Sequence, residues 1–222
     1  MQAAPPSIEE LSEQLAHARP ALDEHEQRVA IALYRLLAEG RPVSRGDLAR
    51  RVTTDDVARL LDAHPGVYFD DRGRVVGFSG MALTGMPHCL EVDGRQLCAW
   101  CAWDTLFLPE LLGRTVDVTS RCPTTGEAIR LRVAPDGVHG LVPADAVLSF
   151  LRPTERFGAN TIHSFCHYVH FFASRQAAEP WIARHPGTFV LSVEDAFEIG
   201  RRFNRATLGA ALHRGAADGS AA

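Results

Sequence analysis

Lysine is missing from this chain: all 23 basic side chains are arginine, set against 27 acidic ones for a net charge of −4. A GC-rich coding bias explains that absence without any mechanism, and the mild acidity argues against nucleic acid as the main partner. No run of about 18 apolar residues occurs, so no membrane span is expected. The first ten residues, Met1 to Glu10, have neither a basic nor an apolar leader segment, which sets the expectation of a cytoplasmic protein. Internal repeats and low-complexity stretches are lacking. So is an even number of cysteines: five occur, Cys89, Cys98, Cys101, Cys122 and Cys166. An odd count in a chain without an export signal does not describe a disulfide framework. These are expected to be reduced thiols, some buried as small apolar groups and others reactive or metal-binding.

What is present is enough for a substantial core, with 222 residues of which 46% are hydrophobic and 23% charged. Ile8 to Leu15 has the pattern of a short amphipathic helix. Residues 22–39 place Val29, Leu33, Leu36 and Leu37 on one helical face and end at Gly40, a C-cap residue. Ser44 caps a short helix through Leu48 to Val52, and Thr53 or Thr54 opens another with Val57, Leu60 and Leu61 inward. Val67 to Phe78 forms a hairpin that turns at Asp70 to Gly73. Three helices and a hairpin is the order of a winged helix. Residues 1–80 hold 13 acidic and 10 basic groups, however, and the segment in the recognition-helix position, Thr53 to Asp62, has three Asp and one Arg. That helix repels phosphates, so a module that packs on a second domain is the preferred reading.

Beyond a seam at Gly80–Met86 the pattern becomes mixed. Cys89 to Cys98 is a hairpin turning at Asp93-Gly94. Asp104 to Leu112 is a helix closed by Gly113, with Pro109 as a kink or true start. Strands are expected at 115–119, 128–133 and 138–142, with alternation that marks antiparallel pairing with one wet face. Residues 144–151 fit either a strand or a helix. Ser164 to Phe172 is aromatic and β-branched enough to read as a buried strand. A helix at 177–184, a strand at 188–191 and a final helix from a Ser192–Asp195 capping box to about His213 follow. The fold class is therefore α+β: a winged-helix-like helical module (1–80), a mixed, mostly antiparallel sheet domain with flanking helices (81–215), and a disordered tail (216–222).

The chemistry concentrates in Cys98-Ala-Trp-Cys101-Ala-Trp-Asp104. Cys98-x-x-Cys101 is a redox spacing, but no βαβ unit follows it, and an offset of three on a strand sends the thiols to opposite faces. A zinc site from Cys98, Cys101, Cys122 and Cys166 or His167 lacks the second closely spaced pair that such sites use. Cys101-x-x-Asp104 is different. If a helical turn begins after Trp100, thiol and carboxyl share a face. Desolvation then opposes charge on both, so that one keeps a proton at neutral pH. An equally available reading makes Asp104 a simple helix N-cap. On an extended Ser164–Phe172 strand, His170 shares a face with Cys166, while His163 and His167 point away. A lone histidine there fits a hydrogen-bonded core residue better than a ligand.

Cys101-Ala-Trp-Asp104-Thr-Leu together with Ser164-Phe-Cys-His-Tyr-Val-His-Phe-Phe172 closely resembles the organomercurial (alkylmercury) lyase family. Residues 113–126 and Ser192 to Asn204 resemble it too, so the likeness covers most of residues 80–210. The resemblance implies protonolysis of a carbon–mercury bond to a hydrocarbon and Hg(II). It makes Cys101 and Cys166 the mercury-binding thiols and Asp104 the proton handler, with the three together holding the Hg(II) product. It also implies no organic cofactor, small thiols to release the metal, a small organomercurial substrate, and transfer to a mercuric reductase. A soft cation suits thiolate sulfur. Trp100, Trp103, Phe107 and Phe165 are expected to enclose the organic group. Cys122 matches a structural cysteine of the family, and Cys98 lies outside its catalytic pattern. Some relatives have cysteine where this chain has His167. The competing reading is a winged-helix regulator that senses a soft metal through its thiols.

Overall fold

The first three helices each begin at a side chain that satisfies free backbone amides. In the computed structural model, which describes residues 6–218, Ser7 caps α1 (Ile8–Ala18), Asp23 caps α2 (Glu24–Leu37) and Ser44 caps α3 (Arg45–Ala49). Each cap is reciprocated by an acid three residues on, the capping-box arrangement. α4 (Thr54–Ala63) starts without such a cap; the Thr53 hydroxyl donates to Asp56 instead. Leu11, Leu15, Val29, Leu33, Leu37, Leu48 and Leu60 meet in one apolar centre. Asp56 in α4 is buried and bonds His25 and Thr53, which removes it from any outward-facing surface.

Two strands, β1 (Val67–Phe69) and β2 (Val75–Phe78), form the expected hairpin. They do not stop at the seam. β2 pairs with β3 (Met81–Ala82), and β3 pairs with β5 (Arg95–Ala99), which makes a hairpin with β4 (His88–Val92). After α5 (Asp104–Leu112), β6 (Val116–Arg121), β7 (Ala128–Ala134) and β8 (Gly137–Val142) extend the same sheet. Its order is β1-β2-β3-β5-β4-β6-β7-β8, with every neighbouring pair antiparallel. The wing of the helical module is thus the edge of the larger sheet. The β4–β5 turn has positive φ at both Asp93 (49°) and Gly94 (75°), as a two-residue Asp-Gly turn requires. Alternating burial along β4 and β6 puts one face on the core and the other in water.

The ambiguous segment before residue 151 is a strand, β9 (Val147–Leu151). It is the centre of a small sheet between β10 (Phe171–Phe172) and β11 (Thr188–Ser192). Between β9 and β10 lies a four-residue helix, α6 (Thr161–Ser164); α7 (Arg175–Arg184) precedes β11. The last helix, α8 (Val193–Asp218), packs on α1, α2 and α5, and the Ser192 hydroxyl accepts the Asp195 amide at its start. It runs past His213, so residues 216–218 are helical and not the disordered tail expected; 219–222 lie outside the described residues.

Two segments depart from expectation. Ser164 to Phe172 is not a strand: only Phe171 and Phe172 pair, while Cys166 to Tyr168 is a 3₁₀ turn. β-propensity measures fit to a pleated surface, and here Phe165 packs on the rings of Phe150, Phe157 and Trp103 from a turn. The face assignment of the histidines goes with it. His163 and His167 are exposed, and the ring of the half-buried His170 hydrogen-bonds the His167 carbonyl at 2.9 Å. Pro109 does not break α5, which keeps the Asp104–Leu112 span and ends on Gly113 at φ 63°.

The stretch that leads into the seam is pinned by side chains of the helical module. The fully buried Tyr34 of α2 donates its hydroxyl to the Ser79 carbonyl at 2.8 Å and accepts from Arg19 at 3.4 Å. Removing a buried hydroxyl that satisfies two partners costs about 1–3 kcal/mol. Tyr34→Phe should therefore lower the unfolding free energy by about that amount in a urea titration. A loss below about 0.5 kcal/mol would show that this link does not hold the seam.

Candidate active site

Cys101 and Asp104 sit where β5 gives way to α5. The Trp100 amide donates to the Gly80 carbonyl (2.9 Å), ending the strand, and the Ala102 amide donates to the Val169 carbonyl (3.1 Å). That second bond brings the Cys166 turn against the Cys101 turn. Asp104 is the first residue of α5, yet its carboxylate does not cap the helix. It turns back, and Oδ2 accepts the Cys101 amide at 2.8 Å. The N-cap reading of Asp104 is therefore set aside. The offset of three places thiol and carboxyl side by side.

Cys166 joins them from the 3₁₀ turn. Ligand atoms of Cys101, Asp104 and Cys166 all lie within 4.8 Å of one another, and all three residues are buried. Among the described residues this is the one group of three or more such side chains close enough to hold a metal ion. The four-ligand zinc set does not assemble: Cys98 faces outward from β5, His167 is exposed, and Cys122 lies elsewhere in the core.

Burial governs the electrostatics. Desolvation pushes Asp104 up to about 7, although hydrogen bonds from the Cys101 thiol and amide and the charge of Arg19 all work downward. Desolvation also drives the Cys101 thiol well above its ordinary range, helped by its contacts with Cys166 and Asp104. For Cys166, the hydrogen bond from Cys101 works downward, but burial and the Asp104 charge outweigh it, so its thiol is raised as well. The carboxyl is thus the group that changes charge near neutrality, and the thiols keep their protons until something takes them.

Beside the cluster lies a cavity of about 50 Å³ whose walls include Trp100, Trp103, Phe107 and Phe165, the four aromatics expected there. Trp103 is fixed by its indole N–H to the Ala196 carbonyl (3.0 Å), and Asn204 donates to the Phe107 carbonyl (2.9 Å). Both bonds tie α8 to α5. Gly200 permits the close approach, since a Cβ there would stand 2.9 Å from that of Phe107.

Nothing local in the first 80 residues marks their approach to this site. Arg19, His64, Ser79 and Gly80 line the same cavity. Gly80 combines a φ of 101° with a backbone so close to Asp104 that a Cβ would meet Oδ1 at 2.6 Å. Only its position at the seam, with a glycine's tolerance of positive φ, could have marked it.

The alkylmercury lyase family model matches residues 81–204, more than half the chain. The chain belongs to the alkylmercury lyase family. A second model, the helix-turn-helix domain of alkylmercury lyase, matches residues 8–79, so the helical module is part of the same family pattern and the regulator reading is not favoured. Alkylmercury lyase of Staphylococcus epidermidis is 47% identical over 171 residues, covering 76% of this chain and 78% of that protein. The Streptomyces lividans enzyme is 44% identical over 178 residues, or 79% and 81% of the two chains. In fold, the chain is similar to the crystal structure of the mercury-bound form of MerB2, with a TM-score of 0.71 at 23% identity over 90% of this chain and 98% of that one.

The raised carboxyl predicts a pH signature. Asp104 binds its proton more tightly folded than unfolded, where 3.8 is the ordinary value. Its contribution is full below about pH 4 and is lost as pH rises through about 7. The stability of the wild type relative to Asp104→Asn should fall between pH 4 and 7, by on the order of 4 kcal/mol. Urea titrations across that range read it, and a pH-independent difference would contradict the raised pKa.

Proposed function

We propose that this chain cleaves the carbon–mercury bond of small organomercurials by protonolysis, releasing a hydrocarbon and Hg(II), as a cytoplasmic step in mercury detoxification. The observation that carries the reading is the buried convergence of two thiols and one carboxyl within 4.8 Å beside a small aromatic cavity. No helix among the described residues is long and apolar enough to cross a membrane.

The substrate arrives as R–Hg–SR′, with mercury on a small carrier thiol. The Cys101 proton passes to the Asp104 carboxylate, to which that thiol is hydrogen-bonded. The resulting thiolate binds mercury, and Cys166 adds as the second sulfur; its proton leaves with the carrier as R′SH. Two thiolates raise the electron density on mercury and on its attached carbon. Asp104, now protonated, delivers the first proton to that carbon as the carbon–mercury bond breaks. The products are R–H and Hg(II) held by Cys101 and Cys166, with Asp104 as neighbouring oxygen ligand. Two thiol protons are consumed, one by the carbon and one by the carrier.

The raised thiols and the near-neutral carboxyl suit this division of labour. With protons firmly on both sulfurs, little thiolate exists until Asp104 removes one. The cavity beside the cluster is where the organic group sits. Its aromatic walls exclude water and so strengthen the electrostatics within. No organic cofactor enters this scheme. Small thiols, or a mercuric reductase, then take the Hg(II).

Methane released from methylmercury in the presence of excess thiol tests the reading. Cys101→Ser and Cys166→Ser should abolish it in protein whose circular dichroism is unchanged, whereas undiminished methane from either variant would sink the proposal. Single-turnover rates should rise with pH through about 7, as Asp104 becomes able to accept a proton. Asp104→Asn should lose that rise and about 10²–10⁴-fold in rate. A rate that falls across the same interval would reverse the roles assigned here.

A further inference from the structure

Cys98 is not used by the catalytic cluster, and neither is Cys89. The sheet places them together. In the β4–β5 hairpin the register pairs Val92 with Arg95, Glu91 with Gln96, Leu90 with Leu97, and Cys89 with Cys98. Outward from a two-residue turn, hydrogen-bonded and non-hydrogen-bonded pairs alternate, starting with a hydrogen-bonded one. Cys89–Cys98 is the fourth pair and therefore non-hydrogen-bonded, where facing side chains stand closest. Directly opposed Cβ atoms in such a pair are about 4.5–5.5 Å apart and share a face.

That face is the wet one. Leu90, Leu97 and Ala99 point to the core, while Cys89 is exposed and Cys98 half-buried. The lateral neighbours are Thr119 on β6 beside Cys89 and Ala82 on β3 beside Cys98. Neither offers a soft ligand. Both cysteines are free thiols. A linear two-coordinate cation with metal–sulfur bonds of about 2.3 Å, the zinc–thiolate length, needs its sulfurs about 4.6 Å apart. Thiols on Cβ atoms at the spacing of this pair reach that separation by ordinary χ1 rotation.

We propose that Cys89 and Cys98 form a second metal site, a surface dithiol that chelates a soft two-coordinate cation, Hg(II), on the face of the sheet opposite Leu90, Leu97 and Ala99. Both thiols release their protons to solvent as two sulfur–metal bonds form, and no oxidant or reductant is needed. The site rests on strand register and does not depend on the lyase reading, although that reading supplies its source of Hg(II). Its value to such a protein is a holding position, three residues in sequence from Cys101, for metal that small thiols have drawn from the buried pair.

Chelation can be told from capture by single thiols. A lone thiolate loses mercury by mass action to excess monothiol, while a pre-arranged pair holds it through effective concentration. The Cys101→Ala/Cys166→Ala double variant, reduced, loaded with Hg(II) chloride and passed through gel filtration in excess 2-mercaptoethanol, should keep one Hg(II) per chain, with the near-ultraviolet absorbance of a mercury bis-thiolate. Adding Cys89→Ser or Cys98→Ser to that background should leave none. Retention of Hg(II) by either triple variant, or none by the double variant, would overturn the site. If methane release fails while these stoichiometries hold, the lyase reading falls and the dithiol site stands.

Discussion

A single carboxylate turned backwards organises the centre of this molecule. At the first position of α5, Asp104 accepts the amide of Cys101 instead of capping its own helix. That bond sets the carboxyl against a thiol in a fully desolvated place. Everything else about the cluster follows from it. The carboxyl titrates near neutrality, the sulfurs stay protonated, and the two kinds of group are close enough to exchange a proton.

The rest of the fold can be seen as what holds that place dry. α8 anchors Trp103 and the backbone of Phe107 from one side. The Cys166 turn is held from another by the bond between Ala102 and Val169. The third wall comes from the helical module, through Tyr34, Ser79 and the side-chain-free Gly80. A helix-turn-helix element has thus become a wall of the candidate site. The continuous sheet across residue 80 and the burial of Asp56 explain why: its hairpin is spent on strand pairing, and its fourth helix carries acid where a phosphate reader needs base.

How much of this was legible in the sequence depends on how local each signal is. Caps, hairpins and helix faces are local, so Ser44, Asp93-Gly94 and the α5 span with its Gly113 stop were all readable. The pairing of Cys101 with Asp104 was readable too, since an offset of three on a helical turn is local geometry. Family resemblance picks out Cys166 but not its backbone, because the aromatic content that mimics a strand serves ring packing around Trp103. Arg19, His64 and Gly80 left no local mark; their role comes from tertiary approach alone. The Cys89–Cys98 pairing was implicit in the hairpin register and hidden by the more conspicuous Cys98-x-x-Cys101 spacing.

Asp104 holds a proton near neutral pH because burial desolvates it more strongly than the Cys101 hydrogen bonds and the Arg19 charge pull the other way. Infrared difference spectroscopy of wild type against Asp104→Asn, titrated from pH 5 to 9, reads that directly. A protonated-carboxyl carbonyl band that belongs to Asp104 should disappear with a midpoint near 7. A carboxyl already ionised at pH 5, with its midpoint in the ordinary aspartate range near 4, would contradict it.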